Sequence, residues 1–355
     1  MNLNKIFSFE NLLEAHKLCR RSKQHKRGAI MFEIELGRNI VKLTEELANK
    51  KYKLGKYRKF TIFDPKKRLI EALPYKDRVV LMCFCRYALE PRPDCRLIFD
   101  NAASRKGKGP EFAIERLCCF IRKLYCQKPN EDIYFLKCDI AKYFQNINHT
   151  ILLEKLRRCG FSDDEMWFME QVVRSHGESG VPLGNQTSQW FALLYLDEID
   201  RLIKERLRAP FYIRYMDDFV LLSEDKAFLQ RCRNEIGQTC RESLKLQLNN
   251  KTQIGRLKDG LDFLGYNFKL TATGKILKSL RASARRRQRH YIKMIAHYYL
   301  QDVLDDEYLN VRFNAFKAHM KGTSDWKFVR DRLNNLKKKK RLMKKAEDKK
   351  FLPVC

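Results

Sequence analysis

The segment Tyr215-Met216-Asp217-Asp218 constrains this chain more than any other. Apolar, β-prone residues lie on both sides of it, Phe211-Tyr212-Ile213-Arg214 before and Phe219-Val220-Leu221-Leu222 after. Two such runs joined by two or three polar or flexible residues predict a tight hairpin. Two adjacent carboxylates then sit at its tip between apolar strands. Burying them is costly unless positive charge compensates, and a divalent cation is the simplest compensation. The tip is therefore a candidate metal site.

A third acid extends the pattern. Asp139 ends the apolar run Tyr134-Phe135-Leu136-Lys137-Cys138, which reads as a strand. A strand-end carboxylate brought beside an acidic hairpin makes an all-oxygen site for hard cations such as Mg²⁺, with Mn²⁺ as an alternative. Two ions ~3.5–4 Å apart activate a 3′-hydroxyl and stabilise a leaving pyrophosphate. Such nucleotidyl transfer relies on positioning and charge stabilisation.

Charge supplies the second constraint. The 355 residues carry a formal net charge of +30, which points to a polyanionic partner. Nucleic acid is favoured over a membrane surface, because the charge is spread along the chain instead of lying on one amphipathic helix. The basic loop Asn101–Gly109 would suit a phosphate backbone, although ordinary exposed charges explain it equally well. Arg285, Arg286, Arg287 and Arg289 crowd one helix, and residues 337–350 hold nine Lys or Arg against two acids. No apolar run approaches the ~18–20 residues of a membrane span, and the N-terminus lacks a signal-peptide core. The 12 cysteines contain no CxxC pair and read as reduced core residues of a cytoplasmic protein.

Periodicity predicts helices and short strands interspersed along the chain. Residues 9–50 read as helical. Strand-like runs at 57–63 and 68–73 flank a turn at Asp64-Pro65-Lys66-Lys67. A buried helix follows from Asp77. Asn148 is placed to cap a helix, and Ser162 with Glu165 forms a capping box. After Gly184, the residues Ala192, Tyr195, Leu196, Ile199, Leu202 and Ile203 share one helical stripe. Residues 226–245 read as helix, 261–268 as a short hairpin and 276–345 as basic helices.

With these elements in order, Asp139-Ile140-Ala141-Lys142-Tyr143-Phe144 and Tyr215-Met216-Asp217-Asp218 resemble the two catalytic motifs of reverse transcriptases. Arg68 in Pro65-Lys66-Lys67-Arg68-Leu69-Ile70 matches the fingers motif. Asp262-Phe263-Leu264-Gly265-Tyr266 resembles the primer-grip hairpin, and Asn249-Asn250-Lys251-Thr252 the motif with a lysine near the pyrophosphate. The resemblance implies an α+β fold, a right-hand polymerase with an antiparallel palm sheet and a helical thumb. It places fingers at 1–130 with part of 150–185, the rest of 131–270 in the palm, the thumb at 271–336 and a basic tail at 337–355. It implies two Mg²⁺ ions held by Asp139, Asp217, Asp218 and the Ile140 carbonyl. It implies Phe144 as the steric gate against a ribose 2′-hydroxyl and Arg68 over the incoming nucleotide. Lys66 or Lys67 would neutralise the γ-phosphate, and Lys251 would donate a proton to pyrophosphate. Template RNA, the cDNA/RNA duplex and dNTPs are the implied partners. No RNase H constellation is expected.

A narrower resemblance lies in Val181-Pro182-Leu183-Gly184-Asn185-Gln186-Thr187-Ser188-Gln189. Most reverse transcriptases have Gln-Gly and Ser-Pro where this chain has Leu183-Gly184 and Ser188-Gln189. That is similar to the reverse transcriptases of diversity-generating retroelements, although Ser104 stands where that group often has Cys. The likeness implies mutagenic copying of a template RNA, with errors at template adenines, and a small helical oligomeric accessory protein. Leu183 offers the nascent pair only apolar contact, a weak basis for discrimination. Two other readings stand beside this one: an antiphage-defence or abortive-infection reverse transcriptase, and a non-catalytic RNA-binding scaffold on the same fold.

Overall fold

The computed structural model describes residues 2–63, 67–129, 131–320 and 322–350. It divides into two compact units. The first comprises Met1–Arg116, Leu136–Leu222 and Lys226–Ile254, and the second Leu117–Phe135, Ser223–Asp225 and Gly255–Cys355.

After the single helical turn Leu3–Ile6, the first unit has three helices, Phe9–Arg20, Arg27–Ile34 and Leu36–Ala48. The stretch expected to be helical is thus interrupted. Ser22 adopts φ +59° just after the first helix, a left-handed conformation that a continuing helix does not accommodate. Strands β1 (Arg58–Ile62) and β2 (Arg68–Ala72) pair antiparallel, from Arg58↔Ala72 to Ile62↔Arg68. Residues 64–66 between them, Lys66 included, lie outside the described residues. The helix Tyr75–Phe84 follows, as the sequence predicts from Asp77.

Strand β3 (Tyr134–Cys138) leads into the Asp139 segment. Asn148 caps the helix His149–Arg157 by accepting from the Ile151 N–H. Ser162 and Glu165 form the predicted capping box of Asp163–Arg174. The stripe expected after Gly184 is buried throughout, although it is carried by Gln186–Tyr195, Asp197–Arg201 and a π-helical turn Leu202–Arg206 in succession. Strands β4 (Tyr212–Tyr215) and β5 (Asp218–Ser223) form the acidic hairpin. With β3 and β6 (Gln253–Arg256) they make a sheet of order β4-β5-β3-β6. The strongly apolar residues Phe219, Val220 and Leu221 are fully buried in it.

The second unit contains a sheet of order β7-β8-β9, with β7 Leu261–Phe263, β8 Tyr266–Leu270 and β9 Ile276–Leu280. The predicted 261–268 hairpin is present, turning through Leu264 (φ +47°) and Gly265 (φ +87°). Helix was expected from 276, but residues 276–280 are a strand. The edge of β8 offers unpaired backbone groups, and the alternation Ile276, Lys278, Leu280 suits a strand in register from Leu270↔Ile276 to Tyr266↔Leu280. Helices Ala282–Leu300, Asp306–Met320 and Asp325–Lys350 then pack around Ile292, Ile295, Tyr299, Leu309, Phe316 and Leu333. The last helix runs unbroken across residue 336, so the basic stretch expected as a separate tail begins inside it. Lys340 is held there by Asp302 (2.9 Å) and lies 4.0 Å from the Tyr299 ring centroid. Among the described residues no helix is long and apolar enough to cross a membrane. Burial pushes the Cys138 thiol up, as it does Cys83 and Cys85, which fits reduced core residues.

Candidate active site

Register sets the acidic tip. Tyr215 pairs with Asp218, which leaves Met216 and Asp217 as a two-residue connection. Met216 has φ +57°. A positive φ at the first central position is the pattern for which a hairpin normally uses Gly. A side chain held there costs on the order of 1 kcal/mol or more and needs support from its surroundings.

That support is Arg214, which is completely buried. Its Nη1 donates to the Met216 carbonyl at 3.1 Å and its Nη2 to the Leu193 carbonyl at 3.1 Å. Nε and Nη2 form a fork onto Asp200 at 2.7 and 2.5 Å, and Asp200 also accepts from the Tyr212 hydroxyl at 2.6 Å. Burial works against the charged guanidinium, but the Asp200 charge and hydrogen bond, with Tyr212 and Tyr143 adding to them, together hold it firmly protonated. On the other side, the backbone of Arg214 bonds to Asp100 and Ala102. The sequence reading passed over this pair, treating Arg214 as part of an apolar flank and the Asp200 helix as core. The available signal was a lone Arg inside an otherwise apolar strand, which requires an acidic partner once buried.

Asp139 is placed by a backbone bridge. The Asn249 N–H donates to the Asp139 carbonyl at 2.7 Å and the Ala141 N–H to the Gln247 carbonyl at 2.9 Å. These bonds flank the antiparallel Ile140↔Leu248 pair. In such a pair the central residue's own carbonyl faces away from its partner strand, which is the orientation required if the Ile140 carbonyl is to serve a ligand. The Asn249 amide also donates to Asp139 Oδ2 at 3.1 Å.

The three acids share one electrostatic site. Burial pushes Asp217 up to about 6, with the Asp139 charge adding to the rise and Arg68 and Arg214 opposing it. Burial likewise pushes Asp218 up to about 6. Lys137 opposes that rise, while Asp139 and Asp217 add to it. Lys137 Nζ stands 3.4 Å from Asp218 Oδ1, a buried oxygen with no closer partner among the described residues. A half-buried carboxylate pair with one such oxygen is a donor set that accepts a hard cation. Among the described residues no three His, Cys, Asp or Glu side chains close into a metal cage by themselves. Mg²⁺ is commonly held by one or two carboxylates with substrate phosphates and water completing the shell, so the residues present fit it. Asp139, Asp217, Asp218 and the Ile140 carbonyl are the groups that would hold it.

A measurable consequence follows from the raised values. Above pH 6 both hairpin acids are charged, and a divalent cation relieves their repulsion. At pH 5 they are largely protonated and bind it poorly. Millimolar Mg²⁺ or Mn²⁺, at ten times its Kd, is expected to raise the melting temperature at pH 7.5 by about 2–4 °C. The shift should shrink severalfold at pH 5 and disappear in Asp217→Asn, as read by differential scanning fluorimetry.

The remaining predicted residues fall into two groups. Arg68 is exposed on β2, and its charge is felt at Asp217; Phe144 is half-buried, edge-on to Tyr143, and its carbonyl accepts from the Val181 N–H at 2.8 Å. Leu183 is half-buried, and its carbonyl accepts from the Glu71 N–H at 3.1 Å. Gln189 is exposed and accepts from the Ser104 hydroxyl at 2.7 Å. Lys67 and Lys251 are exposed, and no described contact ties either side chain to the acids. In the basic loop, Arg105 is committed to Asp94 and to the Ile98 and Asn101 carbonyls. Its role there is structural, so the ordinary-loop reading holds for that residue.

The reverse transcriptase (RNA-dependent DNA polymerase) family model matches residues 48–268, a span that contains Arg68, Asp139, Leu183 and the acidic hairpin. The chain belongs to the reverse transcriptase family. The α+β fold of this reverse transcriptase is similar to that of apo telomerase from Candida tropicalis truncated from its C-terminal domain. There the TM-score is 0.52 at 12% identity, covering 63% of this chain and 55% of that one. Telomerase from Candida albicans in complex with a TWJ fragment of telomeric RNA gives a TM-score of 0.50 at 14% identity, covering 84% of this chain and 64% of that one. The chain thus spans less than two thirds of either structure's length. A search of curated protein sequences finds no match.

Proposed function

We propose that this reverse transcriptase is an RNA-directed DNA polymerase that makes cDNA from a retroelement template RNA. The observation that carries the reading is the single electrostatic site formed by Asp139, Asp217 and Asp218, with the Arg68 charge reaching it from β2. Asp139, Asp217 and Asp218 would hold two divalent ions, which when bound would supply positive charge at the primer 3′-hydroxyl and at the departing pyrophosphate. Asn249 orients Asp139, and the Arg214–Asp200 pair keeps the hairpin tip rigid. Arg68 covers the incoming dNTP, Lys66 or Lys67 meets its γ-phosphate, and Lys251 protonates the pyrophosphate. The half-exposed Phe144 ring excludes a ribose 2′-hydroxyl.

In this reading residues 1–130 with part of 150–185 are the fingers, the remainder of 131–270 the palm, 271–336 the helical thumb and 337–355 a basic tail. The thumb helices Ala282–Leu300 and Asp325–Lys350 border a groove of about 660 Å³ lined by Arg286, Arg289, His290, Lys293 and Arg332, chemistry suited to a phosphate backbone. Manganese-free primer extension on an RNA template tests the activity, with loss in Asp217→Asn as the expected control.

The finer reading is mutagenic copying of the diversity-generating type, supported by Leu183 and Gln189 in the 181–189 segment. An apolar Leu183 cannot hydrogen-bond the nascent pair, so a mismatched nucleotide forfeits little. Leu183→Gln is expected to lower the error rate at template adenines by about tenfold, read by sequencing cDNA from a defined template. An unchanged adenine error rate would sink this part. The accessory protein, a small helical oligomer, belongs to the same reading and is tested by co-purification with the products of neighbouring genes.

A further inference from the structure

Glu71 is a buried acid, 4% exposed, in the middle of strand β2, three residues after Arg68. An acid there has no part in metal chemistry and is costly without partners. Among the described residues it has two: Lys59 Nζ at 2.9 Å from Oε1 and His176 Nδ1 at 2.7 Å from Oε2. Its backbone is used as well. The Glu71 N–H donates to the Leu183 carbonyl at 3.1 Å. Its carbonyl packs so closely on Gly184 (φ +142°) that a Cβ there would stand 2.6 Å away.

The same two chain segments meet twice more. The Tyr57 hydroxyl, just before β1, bonds to the Ser175 hydroxyl at 2.9 Å. The Asn185 amide donates to that Tyr57 oxygen at 2.8 Å, so this N-cap residue spends its side chain on the hairpin and leaves its own helix without a side-chain cap. Tyr57, Glu71, Ser175, His176, Gly184 and Asn185 therefore form one clamp. It fastens the β1–β2 hairpin, which bears Arg68, to the segment that bears Leu183.

We propose that this clamp, centred on the Glu71–His176 pair, is a specificity-determining device, and that Glu71 is a positioning residue for nucleotide selection. The inference rests on the polymerase reading above. If Leu183 and Arg68 both face the incoming nucleotide, their separation sets the tightness of the pocket, and nothing in the metal site adjusts it. A residue that shapes the pocket without touching the reacting atoms acts through nucleotide binding, which is read in KM with kcat little changed.

The test is steady-state primer extension by the full chain on an RNA template, with sequencing of the product, for wild type, Glu71→Gln, His176→Ala and His176→Asn. Glu71→Gln keeps the side-chain shape and removes the charge. His176→Asn keeps a donor near the position of Nδ1. Glu71→Gln and His176→Ala are expected to raise the dNTP KM by about fivefold with a smaller change in kcat, and to alter the misincorporation spectrum. His176→Asn should recover most of the loss. Wild-type KM and spectrum in both Glu71→Gln and His176→Ala overturn the proposal while leaving the polymerase reading intact. An equal fall in kcat and kcat/KM with an unchanged spectrum also overturns it, because that marks a merely structural role. If the wild type itself extends no primer, the polymerase reading fails and the clamp's function fails with it.

Discussion

Asp217→Asn is expected to lower primer extension by at least about 10³-fold, roughly 4 kcal/mol of transition-state stabilisation, while making the metal-free protein more stable. The opposite signs come from one cause. The folded chain raises the Asp217 carboxyl from 3.8 to about 6, chiefly by burial. A carboxylate raised on folding binds its proton more tightly in the native state, so native stability falls as pH climbs from about 4 to about 6 and stays low above that. The penalty is on the order of 2–3 kcal/mol for this group, and Asp218 carries a similar one. Asparagine removes the charge and with it the penalty. Urea denaturation in EDTA at pH 7.5 should therefore show the variant more stable than wild type by up to that amount, with the difference vanishing near pH 4. A variant as labile as wild type at pH 7.5 would mean that the hairpin tip is not the charged, desolvated site described above.

The second large effect lies away from the chemistry. Asp200→Ala leaves the fully buried Arg214 guanidinium without its carboxylate, and removing one member of a buried pair costs about 3–5 kcal/mol. Because Arg214 also donates to the Met216 carbonyl, the damage reaches the left-handed turn that presents Asp217. Loss of activity should therefore accompany loss of stability. Replacing both partners with apolar residues, Asp200→Leu with Arg214→Met, removes the stranded charge and should recover much of the stability. It should not recover activity, because the support beneath Met216 is still missing. Urea melts and primer extension on the three proteins separate the two effects. Equal activity of the double variant and wild type would show that the turn holds itself.

Much of the architecture is visible in local signals. The Ser162–Glu165 capping box, the Asn148 cap, the 261–268 hairpin and the two-residue turn at Met216-Asp217 all depend on residues within a few positions of each other. The errors occur where distant chain decides. Residues 276–280 have no strong local preference, and they become a strand because β8 presents an edge. The helical stretch 9–50 is broken at Ser22, while the basic helix expected through 345 is present in Asp325–Lys350.

By itself the sequence determined the chemistry available to this protein: two carboxylates on a hairpin between apolar strands, a third at a strand end, and an excess of positive charge for a polyanionic partner. Periodicity and residue type are local properties, and they suffice for that. Only the tertiary structure decided what holds those groups. It paired Arg214 with Asp200 across 14 residues, Asn249 with Asp139 across 110, and Glu71 with His176 beside Leu183. A buried charge demands a partner, but the demand does not say where in the chain the partner lies, and only the folded backbone brings the two within hydrogen-bonding distance.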